Sequence, residues 1–137
     1  MFDYIVCFYF GNRRVEITNS FLLNDKYFFV KKHLYLINQN VSVLDDIQTI
    51  VFTINGATDE DVDSVINIKN EYPFSDKVVV LKRDNTNYSY GAWNESLIHQ
   101  INSNTTSTYA FLCEDDYIFC HEIFHKKFIE YFDTDVV

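Results

Sequence analysis

Tyr109-Ala110-Phe111-Leu112-Cys113-Glu114-Asp115-Asp116-Tyr117 is the stretch on which the fold turns. It opens with an unbroken apolar run and passes directly into three adjacent carboxylates. Continuous rather than alternating apolar character marks a strand buried on both faces, as in parallel sheets. Three like charges side by side are unfavourable unless solvent or a cation screens them. The stretch therefore predicts a buried strand over residues 108–113 with an acidic carboxyl tip, either a solvated turn or a seat for a hard divalent ion.

Working outward, similar runs occur at residues 4–10, 47–54 and 78–81. Helical patterns lie between them. Asn24 is placed to cap a helix over about 25–37. Thr58 before Asp59-Glu60-Asp61 is a stronger start, because its hydroxyl accepts from the backbone and the acids suit the positive end of a helix. Val62, Val65 and Ile66 then form a stripe, and Pro73 ends that segment. A third helix near 90–102 puts Trp93, Leu97, Ile98 and Ile101 on one side. A fourth near 122–132 carries Phe124, Phe128, Ile129 and Phe132. The segment from Arg14 to Phe21 has no clear pattern. The order β-α-β-α-β-α-β-α predicts an α/β fold, a mostly parallel sheet with helices on both faces. Ligands of such sheets bind beyond the carboxyl ends of the strands. Four polar clusters fall there: Gly11-Asn12-Arg13-Arg14, Asn55-Gly56, Arg83-Asp84-Asn85 and Glu114-Asp115-Asp116.

Composition narrows the partners. With 137 residues, 47% apolar and 18% aromatic, the chain has material for one core, and residues 1–137 are read as a single domain. A net charge of −9 argues against a duplex nucleic-acid partner, which requires a basic face. It does not argue against a phosphorylated small molecule bridged by a cation. No apolar run reaches the length of a membrane span. The apolar N-terminus carries Asp3 instead of a basic leader, so it is read as a strand and not a signal peptide. Cys7, Cys113 and Cys120 have no CxxC spacing and read as free thiols of a reducing, cytoplasmic compartment.

Residues 109–117 resemble the strand and DxD motif of GT-A fold glycosyltransferases, especially the large family 2 group. Arg83-Asp84-Asn85 followed by Ser89-Tyr90-Gly91-Ala92-Trp93-Asn94 is similar to that family's Asn…Gly…Ala-Arg-Asn segment. The strand ending in Phe10-Gly11-Asn12-Arg13 is similar to its opening strand and nucleotide loop. The resemblance spans roughly residues 3–120, with its elements in the family's order. It implies a GT-A/Rossmann-like domain that binds a UDP- or GDP-linked sugar through Mn²⁺ or Mg²⁺ and transfers a hexose to a glycan or other hydroxyl acceptor. Asp116 would bind the metal. Glu114 would lie near the ribose or the metal's water shell, with Asp115 supporting. Asn55, Arg83, Asn85 and the Phe10–Arg13 loop would surround the base. The turn at Gly91 would bring backbone N–H groups to phosphate or sugar, and Asn94 would orient that turn. A bound cation fits this chemistry, because it stabilises the charge that develops on a diphosphate leaving group.

Two departures stand out. Trp93 takes the place where many family members carry Arg. About 20 residues follow Asp116, whereas the family continues into an acceptor half that supplies the catalytic base. The resemblance thus implies a donor-binding part with no general base assigned: a fragment of a longer enzyme, a degenerate homologue, or a subunit that borrows the rest. A non-catalytic nucleotide-binding or interaction module is the alternative from another class.

His121-Glu122-Ile123-Phe124-His125 offers a second enzyme reading, because it matches H-E-x-x-H. On a helix this spacing sets both imidazoles on one face to bind Zn²⁺, with the Glu as general base. Only 12 residues remain after His125 to supply a third ligand, Lys126-Lys127 follow at once, and the βα alternation is unlike a zincin's. A third possibility brings His121 or His125 to the carboxylates. A dinucleotide-binding Rossmann fold would require G-x-G-x-x-G after the first strand, which is absent.

Overall fold

A computed structural model describes residues 1–11, 25–121 and 123–133. Strand β1 (Phe2–Tyr9) lies between β2 (Ile47–Asn55) and β4 (Tyr109–Glu114), and β3 (Val78–Arg83) adds outside β2, giving the order β3-β2-β1-β4. All three pairings are parallel, as the apolar runs predict. The helices are α1 (Phe28–Gln39), α2 (Val41–Asp46), α3 (Asp59–Lys69), α4 (Tyr88–Asn102) and α5 (Phe124–Asp133), with a 3₁₀ turn at Ser75–Lys77. This is an α/β fold with helices on both faces of the sheet. The short α2 is not apparent in the sequence pattern. Asn40 separates it from α1, and Val43 sinks into the core.

The two faces of the sheet differ in chemistry. On one face Phe2, Tyr4, Val6 and Phe8 of β1 and Ile50, Phe52 and Ile54 of β2 meet Val30, Leu34 and Ile37 of α1 and Val65 of α3 in the apolar core. On the other, Asp3 of β1 and Thr53 of β2 face α4. Gln100 Nε2 donates to Asp3 Oδ2 at 3.0 Å, and the Ser96 and Thr53 hydroxyls share a hydrogen bond. Central strands β1 and β2 are buried on both sides, as continuous apolar runs imply. Edge strand β4 alternates, leaving Ala110 and Leu112 exposed.

The Thr58 start of α3 is realised as a capping box. Asp61 N donates to Thr58 Oγ1 at 3.2 Å and Thr58 N to Asp61 Oδ2 at 2.8 Å. The Asn24 cap and the whole Arg14–Phe21 segment lie outside the described residues. Helix α1 begins at Phe28 with no side-chain cap on it.

Two expected helix faces are corrected. Helix α4 buries Ala92, Ser96 and Gln100, while Ile98 and Ile101 are exposed. The sheet surface beneath it offers Asp3 and Thr53, so small and amide side chains fit better than large apolar ones. On α5, Phe128 and Phe132 are exposed and His125 is the buried residue.

Candidate functional site

The order β3-β2-β1-β4 reverses direction at β1, because the chain builds outward from β1 on one side and then returns to its other side with β4. Such a switch point opens a crevice at the carboxyl ends of the strands. In register, Cys7 pairs with Glu114 and Tyr9 with Asn55, which brings the three strand tips together. A cleft of about 340 Å³ lies there. Cys7 and Tyr9 of β1 and Asn55 of β2 form its floor. Asn85, Tyr88 and Ser89 form one wall, and Glu114, Asp115 and Asp116 the other.

The three carboxylates are not equivalent. Glu114 Oε1 accepts from Ser89 Oγ at 2.8 Å, across the cleft. Asp115 is buried, its Oδ2 accepting from Tyr9 N at 3.3 Å and its carbonyl from His33 Nε2 at 2.8 Å. Tyr117 N donates to the Glu114 carbonyl at 3.0 Å and closes a tight turn. Asp116 is left exposed at the tip of that turn, lining the cleft. Asp115 therefore anchors the turn from the base of the cleft wall, while Asp116 is its exposed tip.

The far wall is braced by Asn55 and Arg83. Asn55 is buried. Its Nδ2 donates to the Tyr88 carbonyl at 3.1 Å and lies 3.4 Å from Asn85 Oδ1, and its Oδ1 accepts from Arg83 Nη1 at 3.1 Å. Arg83 also donates from Nε to Glu95 Oε2 and from Nη2 to the Thr86 carbonyl, both at 2.9 Å. These bonds hold Asn87 (φ 57) and Tyr88 (φ 49) in the left-handed region, an unfavourable conformation for a tyrosine. Tyr88 is turned outward at the cleft and is exposed.

Of the sequence-derived candidates, Asn55, Asn85, Glu114, Asp115 and Asp116 meet in the cleft. Phe10, Gly11, Arg83, Gly91 and Asn94 are not among its lining residues. Phe10 packs on Phe8 and Tyr27, with its N–H on the Asn55 carbonyl at 3.0 Å. Gly11 sits against the Tyr9 ring. Gly91 lets α4 approach Thr86 and Arg83, and Asn94 is exposed farther along α4. Asn12 and Arg13 lie outside the described residues. Trp93 packs against β4, its Nε1 donating to the Cys113 carbonyl at 3.1 Å.

Sequence reasoning missed Cys7, Tyr9, Tyr88 and His33. His33 had a signal. Val30, His33, Leu34 and Ile37 share the buried stripe of α1, and a histidine at a core position of that stripe needs polar partners. Nothing in the residues around Tyr88 announces a left-handed tyrosine.

Burial sets the ionisation of the floor. It pushes the Cys7 thiol up to about 12, with the Asp115 and Glu114 carboxylates adding to the effect, so Cys7 is a neutral lining group. Burial also lowers His33 to about 4, so its ring is neutral at physiological pH.

No cluster of three or more His, Cys, Asp or Glu side chains poised for a metal ion occurs among the described residues. Of the three carboxylates lining the cleft, Asp115 is tied to Tyr9 N, so Glu114 and Asp116 are the two that could hold a cation.

The H-E-x-x-H geometry is not formed. Helix α5 starts at Phe124, so His121 precedes it, with Nδ1 accepting from Ile123 N at 3.3 Å. Glu122 lies outside the described residues. His125 is fully buried, and its Nε2 pairs with Asp46 Oδ2 at 2.8 Å on the side of α2, away from the acidic turn.

No helix among the described residues is long and apolar enough to cross a membrane. No protein-family model, curated protein or solved structure matches the chain. The architecture is that of a Rossmann-type α/β domain, the general arrangement that GT-A domains share, with a crevice at its switch point.

Proposed function

We propose that this cleft binds a nucleoside-diphosphate sugar through Mn²⁺ or Mg²⁺, and that the chain serves as the donor-binding part of a glycosyltransferase acting on a glycan or other hydroxyl acceptor. One observation carries the reading. Glu114 and Asp116 face a crevice at the switch point of a parallel sheet, with Asp115 turned inward to hold them there. The ordered resemblance of residues 3–120 to family 2 glycosyltransferases adds to it. On this reading Glu114 and Asp116 would hold the cation against the diphosphate. When bound, it supplies Lewis-acid stabilisation of the departing nucleoside diphosphate. Ser89 fixes the Glu114 carboxylate, and Asn85 and Tyr88 offer amide and aromatic contacts on the opposite wall.

Isothermal calorimetry with UDP and with GDP, each with and without Mn²⁺, tests the proposal. Binding that requires Mn²⁺ and disappears in Asp116→Ala supports it. A wild-type chain that binds neither nucleotide in the presence of Mn²⁺ removes it.

A second reading, an interaction module without catalysis, rests on Leu112, Ile98 and Ile101, which are exposed on β4 and α4. Sedimentation with a Leu112→Glu/Ile101→Glu pair addresses it. Self-association of the wild type that the pair abolishes favours this reading, and a monomer in both removes that support.

A further inference from the structure

We infer that His33 is the positioning residue of the acidic turn: from α1, on the core side of the sheet, it fixes the backbone of Asp115 and thereby aims Glu114 and Asp116 into the cleft. The inference deepens the proposed donor site and rests on it for its ligand.

The bond directions can be read without ambiguity. A carbonyl only accepts, so the 2.8 Å contact between His33 Nε2 and the Asp115 oxygen places the proton on Nε2. The ring is fully buried and its ordinary value is lowered to about 4 by that burial, so it carries one proton and Nδ1 is a bare acceptor. The partner of Nδ1, at 3.0 Å, is the Tyr4 hydroxyl, which must donate. Burial raises Tyr4 well above its usual range, so that proton stays. Tyr4, His33 and Asp115 thus form one neutral chain of hydrogen bonds with a single consistent polarity. It runs from β1 through α1 to the residue that follows β4.

The geometry explains why a histidine occupies a core position. Leucine there would fill the space, but the Asp115 carbonyl would lose the His33 N–H. Tyr9 N holds the Asp115 side chain from the other side. Tyr4 acts through His33 by selecting the tautomer that points a proton at Asp115.

Three variants of the full chain test the idea: His33→Gln, which keeps an N–H donor at the Nε2 position; His33→Leu, which removes it; and Tyr4→Phe, which keeps the ring but frees Nδ1. Nitrogen-15 NMR of the wild-type imidazole should show Nε2 protonated and Nδ1 bare at neutral pH. Tyr4→Phe should admit the other tautomer. Amide exchange at Tyr117, whose N–H closes the turn, should accelerate in His33→Leu and Tyr4→Phe and remain near wild type in His33→Gln. UDP–Mn²⁺ affinity should fall about three- to tenfold in His33→Leu, the loss expected for one hydrogen bond, and recover in His33→Gln. A wild-type ring protonated on Nδ1, or equal Tyr117 exchange in wild type, Tyr4→Phe and His33→Leu, overturns the inference. Should the wild type bind no nucleotide, the donor-site reading fails alone, and the tautomer and exchange data still decide the role of His33. If His33→Leu does not fold, the comparison of Tyr4→Phe with His33→Gln decides it.

Discussion

Gly91 faces Thr86 so closely that a Cβ added to the glycine would lie 2.5 Å from the Thr86 carbonyl oxygen and 2.7 Å from Arg83 Nη2. Neither neighbour can yield cheaply. The carbonyl is backbone, and the guanidinium is tied to Glu95, Asn55 and Thr86. Helix α4 cannot back away without unpacking Ala92 and Ser96 from the sheet. Alanine in place of glycine normally favours a helix by roughly 0.5–1 kcal/mol. Here Gly91→Ala should instead destabilise by about 1–3 kcal/mol, the cost of overpacking, measured by urea denaturation. A stabilised variant would mean that the wall of the cleft is far looser than its bonds indicate.

Asp115 and Asp116 are neighbours with opposite expected phenotypes. Asp115 is buried and accepts from Tyr9 N, so Asp115→Ala strands that donor and should cost about 1–3 kcal/mol. Asp116 is exposed at the tip of the turn, and Asp116→Ala should leave stability within about 0.5 kcal/mol of wild type. Parallel denaturation of the two variants checks the division between anchor and ligand. A large loss in Asp116→Ala with none in Asp115→Ala would invert the assignment.

The strands were legible because β1 and β2 are buried on both faces, and that condition writes itself into the chain as the runs at 4–10 and 47–54. The acidic tip was legible for the same reason, since three carboxylates directly after such a run have nowhere to go but the carboxyl edge. Helix α4 was misread because periodicity assumes an apolar partner. Its sheet face presents Asp3 and Thr53, so Ser96 and Gln100 are the inward residues and Ile101 the outward one. The roles of Asn55 and Arg83 were also hidden. Residue type shows that they are polar, but only the fold shows their bonds going to Tyr88, Thr86, Glu95 and each other.

That correction has its own test on α4. Ala92 is fully buried against the sheet, so Ala92→Leu should overpack it and cost about 1–3 kcal/mol. Ile101 is exposed, so Ile101→Ser should stay within about 0.5 kcal/mol. Thermal or chemical unfolding of both variants discriminates the two faces. If Ile101→Ser proved the more damaging, the apolar stripe first read from the sequence would be the buried one.

The buried His33 also makes stability depend on pH in a defined window. Its folded value, about 4, lies below the ordinary 6.5 because burial disfavours the charged ring. As pH falls, the unfolded chain therefore takes up the proton first, and stability rises with pH wherever the unfolded state binds more protons. The contribution is complete above 6.5, declines as pH falls towards 4, and levels off below, for a total of about 3 kcal/mol. The informative quantity is the difference between wild type and His33→Gln. Glutamine has no ionisable proton, and the variant should lack this part of the slope. Urea midpoints taken from pH 7 to pH 4 should converge for the two proteins on the acid side, relative to their separation at neutral pH. Parallel curves across that range would show that His33 is solvated enough to protonate in the folded chain, which its place between Tyr4 and Asp115 does not allow.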